Sequence, residues 1–377
     1  RQQQAYQRMV EREWMAQPDR HPHRVAHYGY LVYRPPAPLR YFDPGVEPFA
    51  GSSIFLEAHR QNAVNFSEAH QSEPTLGFGQ LSPALVLQWI APLLVCFLGF
   101  AVVSRERESG TLALLLAQGV GWRQLLAGKA LGLSVLTLAV AGPALLLLTG
   151  SREAVLLLPA YATYLLIFAL LAVAVSASQL SSRRSLNILL CLWVVWCILL
   201  PRAAFTAGAA LHSTPSRLGF DTAMETELAR LGDSHNPDDP HFAQLKEAAL
   251  RQHNVRDVRD LPFNYGAYVM EEGEKLTSAA FRKLYGAVLT QFEEQERYTA
   301  YAAIADPYLA IRRLSMTLAG TGLAQFHDFQ AQTEEYRYAM VQRLNGLHKT
   351  RIQMTNDRAQ KVSAEEWRKF PPFVYRP

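Results

Sequence analysis

Three histidines near the start of this 377-residue sequence, His21, His23 and His27, have the side chains that a metal site would need. Imidazole nitrogens are good ligands for transition metals, and three of them close together could hold one ion. Pro22 stiffens the segment, however, and apart from Asp19 no cysteine or acidic cluster accompanies it. We therefore expect these histidines to lie on the surface or to pack against another part of the chain, and we predict no metal; a metal site is the alternative.

The Gly128-Lys129 pair raises the question of a phosphate-binding loop. The motif GxxxxGK[ST] requires glycine at position 123 and serine or threonine at position 130, where this sequence has Arg123 and Ala130. The sequence also lacks HExxH, paired CxxC and GxSxG motifs. We therefore predict that the chain is not an enzyme and that it binds no cofactor itself.

The elements that would position any site are dominated by one apolar block at about 82–205. Within it, four stretches of about 20 residues, the length that crosses the hydrocarbon layer, are apolar all the way round. They lie at about 83–103, 125–148, 155–177 and 186–205. A very large buried soluble core is the alternative. The formal net charge of +4 is better explained by membrane orientation than by nucleic acid, so no nucleic acid partner is predicted.

The short loops predict the orientation of the spans. The loop between the second and third spans carries only Arg152, beside Glu153, whereas the first and third loops are more basic. Their basic residues are Arg105, Arg107, Arg123, Lys129, Arg183 and Arg184. By the positive-inside bias, those two loops are cytoplasmic. We expect a multi-pass protein of the bacterial inner (plasma) membrane, with both polar flanks, about 1–80 and 206–377, outside the cytoplasm.

Translocation of the first flank leads us to expect a further span before Arg1. The end of the sequence, KFPPFVYRP, reads as the approach to another span, so we predict a parent protein with six spans. The fold class predicted is an all-α membrane protein with four visible transmembrane helices, plus a mainly helical extracytoplasmic domain. Its divisions are 1–80, the transmembrane domain 81–205, and 206–377.

The loop at 104–124 has the pattern of a short amphipathic helix at the membrane surface. Leu112, Leu115 and Leu116 fall on one helical face, and the charged run at 105–108 precedes them. Gly119 then breaks the helix before the next span. An ordinary interfacial helix between two spans is the alternative interpretation.

The string ERESGTLALLLAQGVGWRQLLAGKALG resembles the signature loop of type-2 ABC exporter permeases. In that family an acidic residue precedes Gly-Thr-Leu, and a small-residue turn, an arginine and a Gly-Lys pair follow. The positions that match are Glu106, Glu108, Gly110, Thr111, Leu112, Arg123, Gly128 and Lys129. The resemblance implies that this segment contacts an ABC ATPase subunit and transmits its closure; Arg105 and Leu115 complete the predicted coupling set.

The flanks resemble one branch of these permeases, which carries a large extracytoplasmic domain of unknown function. The matching segments are Asp43-Pro44-Gly45, Glu57-Ala58-His59 and 306–345. The resemblance implies a permease subunit that works as a homodimer or beside a related permease in membrane lipid. ATP and Mg²⁺ would then be bound by the partner ATPase, and the extracytoplasmic domain could have a partner of its own.

Five polar residues fall within or near the predicted spans: Gln88, Ser134, Thr137, Gln179 and Asn187. Polar groups are costly there, so they could line a substrate path. Hydrogen bonding between helices is the interpretation that we favour.

The polar flanks contain helical patterns separated by prolines. In the first flank, 2–17 reads as helix, and the prolines at 35–44 forbid continuous helix or central strand. In the second flank we predict helices at 238–253, at 279–301, from near Tyr308, and at 323–347. Both flanks are expected to pack into one domain.

The function predicted is that of an ABC transporter permease, an exporter, which couples ATP hydrolysis by a separate subunit to substrate movement. The alternative is a non-transporting membrane protein that uses an ATPase partner for mechanical signalling or for assembly of an envelope complex. A membrane-bound enzyme is the third class, and the sequence offers no catalytic constellation for it.

Overall fold

The computed structural model describes residues 5, 8, 9, 12, 23, 26, 27, 29–61, 81–148, 152–234, 236, 239–350 and 372–376. The predicted helix at 2–17 and His21 therefore lie largely or wholly outside the described residues. The elements in chain order are β1 (Tyr30–Tyr33), α1 (Glu47–Ala50), β2 (Ser53–Leu56), α2 (Pro83–Glu108), α3 (Thr111–Ala117), α4 (Trp122–Leu145), α5 (Arg152–Ser178), α6 (Ser182–Leu211), α7 (Arg217–Leu231), α8 (Pro240–His253), α9 (Tyr265–Ala302), α10 (Pro307–Ala319) and α11 (Leu323–Thr350).

Four of the described helices, α2, α4, α5 and α6, are long and apolar enough to cross a membrane. The all-α membrane fold with four such helices is confirmed. Helix α6 continues to Leu211, beyond the predicted end at 205, and α2 continues to Glu108. The end of α2 is polar, with the sequence SRERE at 104–108, whereas the end of α6 consists mostly of small and apolar residues, TAGAAL at 206–211.

Helix α5 lies at the centre of the membrane domain, by which we mean α2, α4, α5 and α6. Its Leu157, Leu165 and Phe168 side chains are fully buried against the neighbouring helices. Helix α2 approaches it closely at Gly99, where an added Cβ would come within 2.5 Å of the Ala172 Cβ. Small residues allow such close approach, which is the usual source of packing energy between helices in lipid.

The two polar flanks form one packed unit, which we call the flank domain (described residues of 23–61, 217–350 and 372–376). Strands β1 and β2 pair in antiparallel register, with Tyr30 opposite Leu56, and this hairpin was not expected from the sequence. Its inner face packs on α11, where Phe329, Val341 and Leu344 are buried.

Capping side chains set the starts of the helices in the flank domain. Asp239 accepts hydrogen bonds from the backbone N–H of His241 and Phe242 at the start of α8. Asn264 accepts from the N–H of Ala267, so α9 begins at Tyr265, well before the predicted start at 279. Helices α10 and α11 begin where the sequence indicates, and α7 was not predicted.

Helix α10 joins the two parts of the molecule. Its Tyr308, Leu309 and Ile311 side chains belong to the same buried apolar cluster as the core of the membrane domain. Phe42, from the first flank, packs edge-on against Tyr161 of α5 with ring centroids 5.4 Å apart. The flank domain therefore shares a hydrophobic core with the membrane domain at this joint.

Candidate functional site

The loop between α2 and α4 projects a short helix, α3, whose apolar side chains are largely exposed. Gly110 has φ of 78°, a left-handed conformation that glycine adopts without strain, and it turns the chain into α3. Leu112 is the buried anchor at 8% exposure, whereas Leu114 and Leu116 are 63% and 41% exposed. Leu115 is half-buried. The predicted apolar face is thus divided, because Leu112 is buried, Leu115 is half-buried and Leu116 is exposed.

Two adjacent charged residues at the end of α2 bind both ends of the α5–α6 turn. The Arg107 guanidinium donates to the carbonyl oxygens of Ala177, at 2.7 Å, and of Gln179. The Glu108 carboxylate accepts from the backbone N–H of Ser182 at 2.7 Å and from its hydroxyl at 2.6 Å. A cation at the end of α5 and an anion at the start of α6 both complement the helix dipoles. We call these contacts the loop clamp.

Further contacts tie the rest of the loop into the same structure. The Ser176 hydroxyl of α5 accepts from the backbone N–H of Ser104 at 3.1 Å. Lys129 of α4 forms an ion pair with Glu106, and the Thr111 hydroxyl donates to the Glu106 carbonyl at 3.2 Å. Of the predicted coupling residues, Glu108 belongs to the loop clamp, and Glu106, Thr111 and Lys129 are joined to one another, whereas Arg105 and Arg123 are exposed.

The sequence did not identify Arg107 as a coupling residue. It also did not identify Ser182, which contacts Glu108, or Ser176, which contacts Ser104. The signal available was the Ser181-Ser182 pair at the start of α6, which is typical of a helix N-terminus that an acidic side chain can approach. The pairing itself is non-local, so only the tertiary structure shows which charge reaches which helix end.

The polar residues predicted for the spans differ in their surroundings. Gln88 is buried and donates to the Tyr161 hydroxyl at 2.7 Å, a bond between helices. Thr137 is buried in α4, Ser134 is half-buried and Asn187 is exposed on α6. Gln179 is a correction: it lies just past the end of α5 and so belongs to the α5–α6 turn, where its carbonyl is part of the loop clamp.

A chain of hydrogen bonds extends from Gln88 across the joint to the first flank. The Tyr161 hydroxyl donates to the Ser315 hydroxyl of α10 at 2.9 Å, and Ser315 donates to the Asp43 carboxylate. Burial raises the pKa of Asp43, and the hydrogen bonds from Ser315 and Gly45 partly offset that effect. This polar bridge, Gln88–Tyr161–Ser315–Asp43, fixes α5 of the membrane domain to the flank domain.

Asp306 caps α10 at the same joint. Its Oδ1 atom accepts from the N–H groups of Tyr308 and Leu309, at 2.9 and 3.2 Å. Its Oδ2 atom is buried and has no hydrogen-bond partner among the described residues. Burial raises the pKa of Asp306 to about 6, against the lowering effect of those two N–H groups.

We expect Asp306→Asn to stabilise the protein at pH 8, by about 1 kcal/mol, because it removes a buried charge but keeps the capping oxygen. The pKa of Asp306 is raised on folding from 3.8 to about 6, so its protonated form is favoured in the native state. The Asp306 carboxyl therefore costs the folded protein no stability below pH 4. As the pH rises through 6, the wild-type protein loses stability because this buried group becomes ionised. The gain in melting temperature should accordingly vanish near pH 4; destabilisation at pH 8 would contradict this account.

The flank domain contains a cavity of about 1090 Å³ between α7, α9, α11 and the β2 end of the hairpin. Its wall combines aromatic and apolar side chains, including Phe220, Phe281 and Leu289, with charged ones such as Arg282 and Glu334. A cavity of this size with mixed lining is typical of a site for a small molecule.

Beside this cavity the structure brings His23 and His27 together with His59, a residue that was not among the predicted metal ligands. His23 also contacts Asn345 of α11, and His59 contacts Glu274 of α9. No spacing in the sequence indicates this grouping, because the three histidines meet only when the two flanks fold against each other.

The four long apolar helices α2, α4, α5 and α6 define a multi-pass membrane protein. A family model described as ABC-2 family transporter protein matches residues 4–228, and a domain of unknown function (DUF3526) matches residues 217–376. Because the first match covers more than half of the sequence, the chain belongs to the ABC-2 transporter family and is a permease component of an ABC transporter. The resemblance inferred from the loop and flank motifs is thereby confirmed. Comparisons with curated proteins and with solved structures give no match.

Proposed function

We propose that this permease couples ATP hydrolysis by a separate ABC ATPase subunit to export of a substrate across the bacterial inner membrane. In this proposal the loop at 104–124 is cytoplasmic, and the flank domain lies on the opposite side of the membrane. The ATPase partner binds ATP and Mg²⁺, and the chain itself contributes no catalytic group. The observation that carries the proposal is the exposed apolar surface of α3 on a loop that is fixed to three membrane helices.

The exposed surface of α3 has the character of a protein contact. Leu114 and Leu116 of α3 and Trp122 at the start of α4 are exposed, and the same loop also carries exposed Arg105 and Arg123. Apolar residues surrounded by charged ones are the usual composition of a docking surface. Because Leu112, Lys129 and the loop clamp tie α3 to the spans, a push on this surface would be transmitted to α2, α5 and α6.

The proposal includes a second permease subunit, either a second copy of this chain or a related one. Helix α6 is the least buried of the four spans within the described chain. Its apolar side chains, including Leu199, Phe205 and Leu211, are exposed. A face of this kind can be covered by lipid or by another subunit, and a substrate path at the interface between two subunits would use it.

The first test is co-purification with the ATPase subunit encoded beside this permease, using Leu114→Asp. We expect at least a tenfold loss of bound ATPase, because a charge at a buried apolar contact costs about 2 kcal/mol or more. Leu218→Asp is the matched control, since Leu218 is 76% exposed on α7 in the flank domain. The control should bind the ATPase as the wild type does.

Two outcomes would contradict the assignment. If Leu114→Asp retains the ATPase, α3 is not the docking element; if the wild type binds no ATPase, coupling through this loop fails altogether. In either case the four-helix membrane fold and the family membership are unaffected, because they rest on the apolar helices and the family match.

The polar bridge and the shared core at α10 support a second function, mechanical signalling from the ATPase to the flank domain without transport. Movement of α5 would be passed through Tyr161 and Ser315 to Asp43. The two functions differ in one measurement. Export predicts that a solute raises ATP hydrolysis by the reconstituted complex, whereas signalling predicts that ATP hydrolysis responds only to a protein partner of the flank domain.

A further inference from the structure

Three histidine rings in the flank domain surround a common point. The ring centroids of His23, His27 and His59 are 5.0, 5.2 and 5.4 Å apart in pairs. One ring nitrogen from each lies within 4.8 Å of the other two. The Nε2 atoms of His23 and His27 are only 3.2 Å apart. Two nitrogens bound to one tetrahedral ion at 2.0–2.1 Å would be separated by about 3.3–3.4 Å, so this pair already has a suitable spacing.

The other ring nitrogens of two of these histidines are held by buried groups. His23 Nδ1 is 2.9 Å from Asn345 Oδ1, and His59 Nδ1 is 3.2 Å from Glu274 Oε2. A hydrogen bond from Nδ1–H to an oxygen places the lone pair on Nε2, which is then the ring nitrogen that can bind an ion. Metal-ligating histidines are usually oriented in this way, by a carboxylate or an amide behind the ring.

The Glu274 carboxylate is itself fixed in place. It is fully buried, pairs with Arg337 at 2.7 Å and accepts from the backbone N–H of His59 at 2.9 Å. The carboxylate behind His59 is therefore held in one position, and it fixes the orientation of the His59 imidazole in turn.

The backbone at His59 is also held in an uncommon conformation. His59 has φ of 61°, in the left-handed region that residues other than glycine adopt infrequently. The Arg337 guanidinium holds this turn in place, because it donates a hydrogen bond to the carbonyl oxygen of Glu57 at 3.1 Å. Such conformations persist where the surrounding structure enforces them, and they are concentrated at functional sites.

We propose that His23, His27 and His59 bind one divalent transition-metal ion, such as Zn²⁺, through their Nε2 atoms. Three neutral imidazoles suit Zn²⁺ and the divalent ions of copper, nickel and iron. They disfavour Mg²⁺ and Ca²⁺, which require oxygen ligands. His23 is buried and His27 is exposed, so the site is open on one side. Three protein ligands with one open position are characteristic of zinc sites that exchange a fourth ligand. Since His59 also lines the large cavity, the ion lies at the edge of that cavity.

The test uses the tag-free, full-length protein in detergent, stripped of metal with a chelator and titrated calorimetrically with Zn²⁺. We expect one ion per chain. His27→Ala and His59→Ala should each weaken binding at least about tenfold. His241→Ala is the matched control, because His241 is an exposed histidine of α8 outside the cluster, and it should bind as the wild type does. The exposure of His27 makes its replacement compatible with folding.

The visible absorption spectrum of the Co²⁺-loaded protein is a second test of the same site, because a tetrahedral Co²⁺ ion absorbs visible light far more strongly than an octahedral one. The wild type should show that band and His27→Ala should lose it. Failure of the wild type to take up one Zn²⁺ per chain, or wild-type affinity in His27→Ala, would overturn the proposal. The measurement needs no ATPase subunit, so its outcome is independent of the proposed transport function.

Discussion

Arg337→Met is expected to lower the free energy of opening of the flank domain by about 3–5 kcal/mol at pH 7. Arg337 is 1% exposed and its guanidinium pairs with Glu274 and Glu334 at 2.7 Å. It also donates to the Ser278 hydroxyl at 2.9 Å and to the Glu57 carbonyl. Methionine fills much of the same space but leaves Glu274 as a buried anion without the guanidinium that pairs with it, which is the costly outcome for a buried ion pair.

The pH dependence of this effect follows from Glu274. Its pKa is lowered on folding from 4.5 to about 2, so the wild type gains stability from the ionised carboxylate above pH 4.5 and loses it as the pH falls towards 2. Burial by itself raises the pKa of Glu274, and the contacts with His59 and Arg337 lower it; without Arg337 only the contact with His59 opposes the effect of burial, so much of that stabilisation is lost. The difference between variant and wild type should therefore be largest at pH 7 and smaller at pH 4.

Hydrogen exchange at the amides of α9 and α11 measures this opening separately from the membrane helices. Arg297→Met is the matched control, because Arg297 is 60% exposed on α9 and pairs with Glu294 only one turn away. Exposed pairs of this kind contribute little, so the control should exchange as the wild type does. Equal exchange in Arg337→Met and Arg297→Met would show that the buried network does not hold the flank domain together.

Arg107→Met is expected to separate docking of the ATPase from its coupling. The substitution removes two charge-assisted hydrogen bonds to the Ala177 and Gln179 carbonyls but leaves α3 and its exposed surface in place. Such bonds contribute about 2 kcal/mol, which corresponds to roughly a 30-fold change in an equilibrium. We therefore expect normal co-purification of the ATPase subunit but at least a tenfold loss of permease-dependent ATP hydrolysis in the reconstituted complex.

Arg183→Met tests whether the position or merely the charge is important. Arg183 is exposed in the first turn of α6 and belongs neither to the predicted coupling set nor to the loop clamp, and its replacement also removes one positive charge. It should preserve coupling if the loop clamp transmits movement to the α5–α6 turn. Loss of coupling in Arg183→Met to the same extent as in Arg107→Met would instead indicate a general electrostatic effect, and the clamp would have no special role.

The sequence by itself determined the membrane fold and the family. Four runs of about 20 apolar residues have the length and composition of spans. Each is stable in lipid as a helix, because a helix satisfies its own backbone hydrogen bonds. This is a local property of each segment, so the observed spans start within a few residues of the predicted ones. The loop motif around Gly110-Thr111-Leu112 was likewise readable, because its residues are contiguous and the family match supports it.

Only the tertiary structure decided which side chains act together. Arg107 and Glu108 differ from the other charges of their loop solely because the α5–α6 turn lies against them. His59 joins His23 and His27 because the hairpin of the first flank packs on α11 of the second, which brings Glu274 and Asn345 behind the rings. Contacts between residues far apart in sequence depend on how helices pack, and packing is not encoded in any local period or spacing.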